Sequence, residues 1–200
     1  MRSIAVIVSG ILLSRPGMPE DEAKRYAHLL QAEAKQHGFD PLTVVAMVHF
    51  ESGWQPTAVS DDGEDYGLGQ VRARFIGACR NDDDPLNAPS DECKKVKESL
   101  LEAETNLKAV AQIITDARKL CVDKTGAAPL HRWLASYQGL NFPSQKKWCK
   151  PGKKTWRVVK YRDELVRRLV SPPPRAKAKP GPTVPAKATA PKRAPARKRS

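Results

Sequence analysis

Glu51 is the residue with the clearest chemical prospects, because of the run that leads into it. Residues 42–50, LTVVAMVHF, carry no formal charge, and Asp40-Pro41 stands immediately before them. An aspartate followed by proline is a helix start, an N-cap acceptor and then a residue whose missing N–H is not needed in the first turn. The helix should stop near Ser52 and Gly53, since glycine suits the left-handed position past a helix end. Glu51 then follows Met47 by one turn and lies nearly in line with Val44, so its side chain leaves from an apolar face. Burial and the negative end of the helix dipole both disfavour a carboxylate there. A carboxyl that stays protonated near neutral pH is what a general acid needs to protonate a leaving oxygen. On helix position alone, Glu51 reads more simply as the first solvated residue after a buried helix.

The next residues favour the chemical reading. Trp54 and Tyr66 offer flat faces on which a ring could stack, and Ser60 and Gln70 offer neutral hydrogen-bonding groups. Between them Asp61, Asp62, Gly63, Glu64 and Asp65 make a polar loop. Gly67 and Gly69, on either side of Leu68, let the backbone turn tightly or approach a ligand.

The order E-S-G-W at 51–54, A-V-S ending at Ser60, and Y-G-L-G-Q at 66–70 resembles the soluble lytic transglycosylase (SLT) domain, a lysozyme-like family that cleaves peptidoglycan. In that family E-S-x-x, A-x-S and G-L-M-Q are followed by Y-N-x-G. The resemblance implies an all-α, lysozyme-like (SLT or goose-type) helical domain and cleavage of the β-1,4 bond between N-acetylmuramic acid and N-acetylglucosamine. Glu51 would be both acid and base and would form a 1,6-anhydro sugar. Ser60 and Gln70 would hold substrate or orient Glu51. Tyr137, in Ser136-Tyr137-Gln138-Gly139, would point its hydroxyl at Glu51, while Trp54 and Tyr66 are site candidates from their chemistry alone.

The chain departs from the pattern in two places. Gln138 stands for Asn with the glycine one residue early, and Gly69 stands for Met, which removes an apolar contact from a sugar-binding floor. Asn106-Leu107 sits where the family has Asn-Ile, a structural or cleft-edge place. No metal or organic cofactor is implied. A single well-placed carboxylate suits the transglycosylase, whereas a second acid from Asp62, Glu64 or Asp65 would make the chain a goose-type lysozyme hydrolase.

Composition divides the chain. Residues 171–200 hold nine Lys or Arg, eight Pro and no acid; removing those nine leaves 26 basic against 22 acidic residues in the first 170, about +4 of the +13 total. A disordered Pro/Ala/Lys-rich tail is expected there and a single catalytic domain over 19–170. Residues 1–18 start basic and then run apolar, too short for a membrane span. They read as an export leader or as an apolar N-terminal segment of the body. Four cysteines without a C-x-x-C pair suggest two disulfides in an exported, periplasmic or secreted protein; Cys79 with Cys93 and Cys121 with Cys149 is the preferred pairing. The expected partners are peptidoglycan glycan strands, with a monomeric chain. A rival reading is a non-catalytic protein that binds nucleic acid or anionic wall polymers through the basic tail.

The remaining elements are support. Glu20, Asp21 and Glu22 mark a helix start, with Tyr26, Leu29, Leu30 and Ala34 facing the core and Gly38 ending it. A short helix is expected over 71–79, with Arg72 and Arg74 available to an anionic glycan, and a loop over 81–90. Apolar or small residues at 93, 96, 100, 103, 107, 110, 114, 117 and 121 predict a core-facing helix broken near Glu102. Helices over 129–137 and 155–170 complete the domain.

Overall fold

The computed structural model describes residues 2–170, and the basic tail lies outside them. Seven α-helices run in the order α1 (Ile4–Ser14), α2 (Glu20–His37), α3 (Pro41–Glu51), α4 (Asp91–Ser99), α5 (Ala103–Thr125), α6 (Leu130–Tyr137) and α7 (Lys153–Leu169). A two-stranded antiparallel hairpin, β1 (Asp65–Tyr66) and β2 (Val71–Arg72), lies between α3 and α4. The domain is therefore all-α, as expected, with one small hairpin that spans the end of the stretch read as loop and the start of the one read as a short helix.

The centre is α3. Every residue from Pro41 to Val48 is buried, which is what a helix apolar on all sides requires. Asp40 caps it as the sequence predicts, its carboxylate accepting from Leu42 N–H at 3.1 Å. That carboxylate also binds Arg2 (2.9 Å) and Arg162 (2.7 Å), so one N-cap joins the chain's start to α7.

Residues Ile4–Ser14 form α1, which packs against the rest of the domain. Ile7 and Ile11 of α1 are fully buried. A Cβ at Gly10 would stand 2.9 Å from Leu42 Cδ2, so α1 and α3 touch almost backbone to side chain. Ser14 donates to Gly10 O (2.8 Å) and accepts from Tyr161 (3.1 Å), while its carbonyl meets His49 Nδ1 at 2.9 Å.

The three-and-four spacing over 93–121 becomes two helices. α4 and α5 are separated at 100–102, beside the predicted break, and Cys93, Leu100, Leu107, Val110, Ile114 and Cys121 are all buried. The short helix expected over 71–79 is instead strand β2 followed by two 3-10 turns, Ala73–Phe75 and Gly77–Asn81, with Phe75 57% exposed. Pairing of Val71 with Tyr66 outcompetes helix formation in so short a segment. The aspartates of the 81–90 loop bind its own backbone: Asp82 accepts from Asp84 N–H and Ser90 N–H, and Asp84 from Asn87 N–H.

Both preferred disulfides are present, Cys79–Cys93 and Cys121–Cys149, with Cα separations of 4.5 and 5.9 Å. The first ties the 3-10 turns to α4 and the second ties the loop after α6 to α5. Two disulfides fit an oxidising compartment. No helix among the described residues is long and apolar enough to cross a membrane.

Candidate active site

Glu51 is the last residue of α3 and is half-buried. Behind it Gly53 (φ 60°) and Trp54 (φ 65°) both take left-handed conformations and turn the chain sharply. That reversal carries Trp54 into the core. It is fully buried, and its ring stacks on Tyr26 at 5.7 Å with 25° between planes. Trp54 is thus a core residue and not a stacking face for substrate, a correction to the reading from chemistry alone. Its size and the demand to cover apolar surface decide its place.

The loop from 58 to 72 then closes on itself. Gly67 N–H donates to Ala58 O (2.7 Å), and Val59 bridges Tyr66. Gln70, held at φ 50°, donates its amide to Ala58 O (3.2 Å) and Gly67 O (3.0 Å). Ser60 accepts from Asp65 N–H at 2.9 Å and donates to Asp62. The hydrogen bonds of both predicted polar residues therefore go to the loop itself. Tyr66 is half-buried, donates its hydroxyl to Gly63 O (3.0 Å) and has Lys97 over its ring at 5.8 Å.

One buried residue anchors this loop to α5. Asn106 is 0% exposed; its amide donates to Tyr66 O and Leu100 O, both at 2.8 Å, and its Oδ1 accepts from Gly69 N–H at 2.8 Å. The two glycines make that approach possible. A Cβ at Gly67 would stand 2.3 Å from Asn106 Nδ2 and from Leu100 O. A Cβ at Gly69 would stand 2.2 Å from Val110 Cγ2 and 2.9 Å from the Tyr137 hydroxyl. In this chain a methionine at 69 has no room, so the departure at that position follows from Val110 and Tyr137.

The loop acids are largely spoken for. Arg72 binds Asp65 through two nitrogens (2.9 and 3.1 Å) and also Glu64 (3.2 Å), while Arg74 pairs with Glu64. Neither arginine is left available to a glycan as the sequence suggested, because the hairpin folds their carboxylate partners back onto them. Asp62 is 57% exposed and lies 3.8 Å from Arg72. Among the described residues no group of three or more His, Cys, Asp or Glu converges as a metal site.

Around Glu51 itself the structure brings together Tyr137, Gln138, Lys154 and Asp65. Burial pushes the Glu51 carboxyl above its usual range and the negative charge of Asp65 adds to this, while the Gln138 hydrogen bond and the Lys154 charge pull the other way without cancelling it. Tyr137 is driven well above the ordinary phenol value by its burial and then by the charges of Glu51 and Asp65. Its hydroxyl proton, expected to point at Glu51, is instead donated to Gly69 O at 2.8 Å. Its oxygen remains free to accept.

Gln138, set aside because glutamine replaced the pattern's asparagine, lies close enough to Glu51 for its amide to favour the ionised carboxyl. Its orientation follows from its neighbours. Gly152 N–H donates to Thr155 Oγ1 (3.3 Å), and Thr155, fully buried, donates to Gln138 Oε1 at 2.8 Å. Thr155 thus holds the amide oxygen and restrains the side chain. Only the position of Gln138 beside Tyr137 hinted at this; nothing in the sequence pointed to Thr155 or Lys154, which arrive with the first turn of α7.

No protein-family model, curated protein or solved structure matches this chain. The case for its chemistry rests on the site.

Removal of the Gln138 amide should therefore be visible in a pH profile. Gln138→Ala loses a donor that favours the ionised form of Glu51, so the alkaline limb of a Glu51-dependent reaction should move to higher pH while the rate at the optimum falls about tenfold or more. An unchanged limb would show that the amide does not act on Glu51.

Proposed function

We propose that this chain is a lytic transglycosylase with a lysozyme-like domain, cutting the β-1,4 bond between N-acetylmuramic acid and N-acetylglucosamine in peptidoglycan. The observation that carries the reading is a lone carboxyl, half-buried at the end of an apolar helix and raised in pKa, beside a loop whose buried acids are paired with arginine.

In this mechanism protonated Glu51 gives its proton to the glycosidic oxygen as the C1–O bond breaks. The resulting carboxylate takes the proton of the muramoyl 6-hydroxyl, whose oxygen bonds to C1. The acid is regenerated and no water is consumed. Gln138 and Lys154 favour the ionised form that exists between the two transfers, and burial favours the protonated form at the start. Ser60, Gln70 and Asn106 act by shaping the loop, with Tyr66 at its edge.

A hydrolase of the goose-type lysozyme kind is the second reading, and one observation favours it. The charge of Asp65 reaches Glu51, so a carboxylate is within electrostatic range. Against it, Asp65 is held by Arg72 through two hydrogen bonds, which leaves it poorly placed to activate water. The disulfides point to a periplasmic or secreted site of action.

Mass spectrometry of soluble fragments released from peptidoglycan separates the two. Anhydro-muropeptides, one water lighter than hydrolysis products, are the expected outcome. Reducing-end products would move the assignment to the hydrolase with Asp65 as second acid. Absence of cleavage would leave a binding protein and turn attention to the basic tail.

A further inference from the structure

The loop between α6 and α7 does more than deliver Gln138 and Thr155. It forms, with the C-terminal end of α5 and Arg132 of α6, a groove of about 370 Å³ lined by Lys124, Arg132, Lys146, Lys147, Trp148 and Lys150. No acidic residue lines it. None of these five cations lies within ion-pair distance of a carboxylate among the described residues; Arg132 binds Thr125, and Lys147 binds Gln145. Elsewhere some exposed cations pair, as Lys24 with Glu20, Lys94 with Asp91 and Lys108 with Glu104, and others such as Lys119 and Lys160 stand alone among the described residues; the groove differs in gathering five on one acid-free surface. Like charges gathered without a counter-ion destabilise a fold unless an external anion neutralises them.

The groove is also built firmly. Cys149 in its wall is joined to Cys121 of α5, and Cys149 N–H donates to Asn141 Oδ1 at 3.0 Å. Lys124 lies over the Trp148 ring at 5.2 Å. That covered face is poorly available for stacking by a nucleic-acid base, which single-strand binding needs. The site therefore suits small anionic groups better than flat rings.

We propose that this groove binds the free carboxylates of the peptide stems borne by the glycan strand, an inference that rests on the transglycosylase reading of Glu51. The geometry favours a branch of the same polymer because one loop serves both places. It runs from Gln138, the cap of α6, to the first turn of α7 with Lys154, both of which bear on the Glu51 pKa, and its middle supplies Lys146, Lys147 and Lys150 to the groove. A strand held there would be fixed in register at the cleavage site through its peptide, which is also where charge distinguishes one wall polymer from another.

The test is binding of soluble glycan strands to the full chain carrying Glu51→Gln, which leaves the strands uncut. Three ligands are compared: strands with free stem carboxylates, the same strands with those carboxylates amidated, and a single-stranded oligonucleotide. The tail is common to every variant, so it cancels in the comparison. Adding Lys124→Gln with Lys147→Gln should weaken binding of the free-carboxylate strands about tenfold, each partly screened contact contributing roughly threefold, and leave the amidated strands unchanged. The control pair Lys119→Gln with Lys160→Gln, both exposed and outside the groove, should change neither. Equal affinity for free and amidated strands would overturn the proposal. So would a groove variant that loses affinity for the oligonucleotide alone. Cleavage by the unsubstituted chain is scored separately, so a failure of the transglycosylase reading is distinguishable from a failure of the groove.

Discussion

Glu51→Gln should lower the rate of fragment release from peptidoglycan by about 1,000-fold or more, because in the proposed mechanism one side chain supplies both proton transfers. The same substitution should make the protein more stable at neutral pH. Folding raises the Glu51 pKa, chiefly through burial, so the native state holds the proton more tightly than the unfolded chain does. The stability associated with that proton is complete below the unfolded-state value and is lost as pH rises through the higher native value. A neutral glutamine escapes the loss. Thermal unfolding should therefore show Tm higher by about 2–4 °C in the variant near pH 8, with the gain vanishing near pH 4. Loss of activity with no gain at pH 8 would mean that Glu51 is not a strained acid. Full activity in the variant would remove it from the mechanism altogether.

Asn106→Ala carries the largest expected cost to the fold. Two buried backbone groups, Leu100 O and Gly69 N–H, and the part-buried Tyr66 O lose their partner in one step. An unsatisfied buried polar group costs about 1–3 kcal/mol, and water reaching the truncated site will recover part of it, so a loss of about 3–5 kcal/mol is expected. For a chain of this size that lowers Tm by roughly 10 °C or more. Activity should fall with it below the melting temperature, since the loop carrying Ser60, Asp65 and Gln70 hangs on this residue. Asn106→Asp keeps the acceptor for Gly69 N–H but not the two donors, and should recover little. A Tm within about 2 °C of the unsubstituted protein would show that the loop is anchored elsewhere.

These two residues mark how far the sequence could be read. Glu51 was legible because local rules act there: an Asp-Pro start, an uncharged run and a glycine stop determine where α3 begins and ends, and helical spacing puts the last acid on the apolar side. The α4–α5 face was legible for the same reason, down to the break near Glu102. Cysteine pairing came from their number and the segments they would close. Asn106 was placed by pattern but underweighted, since nothing in a sequence says that a polar side chain will be buried with three backbone partners. Trp54 was misplaced because an aromatic ring is equally good as a stacking face and as core, and only the left-handed turn at Gly53 and Trp54 with the Tyr26 ring behind it chooses between them. Arg72 and Arg74 seemed free because their partners, Glu64 and Asp65, are brought to them by a hairpin two residues long, below the length at which alternation can be seen.

What the sequence determined by itself is most of the helices from α2 onward, the register that puts Glu51 at the end of a buried one, and the disulfide-bearing character of the chain, because each depends on neighbours within a turn or two or on composition. The environment that raises the Glu51 pKa was decided only in three dimensions. Its pKa depends on burial by α3's packing and on Asp65, Gln138 and Lys154, which come from 14 to 103 positions away. The packing of the apolar segment at 4–14 against Leu42 is likewise a tertiary fact that hydropathy alone does not give. Electrostatics and hydrogen bonding act through space, and the tertiary fold is what sets those distances.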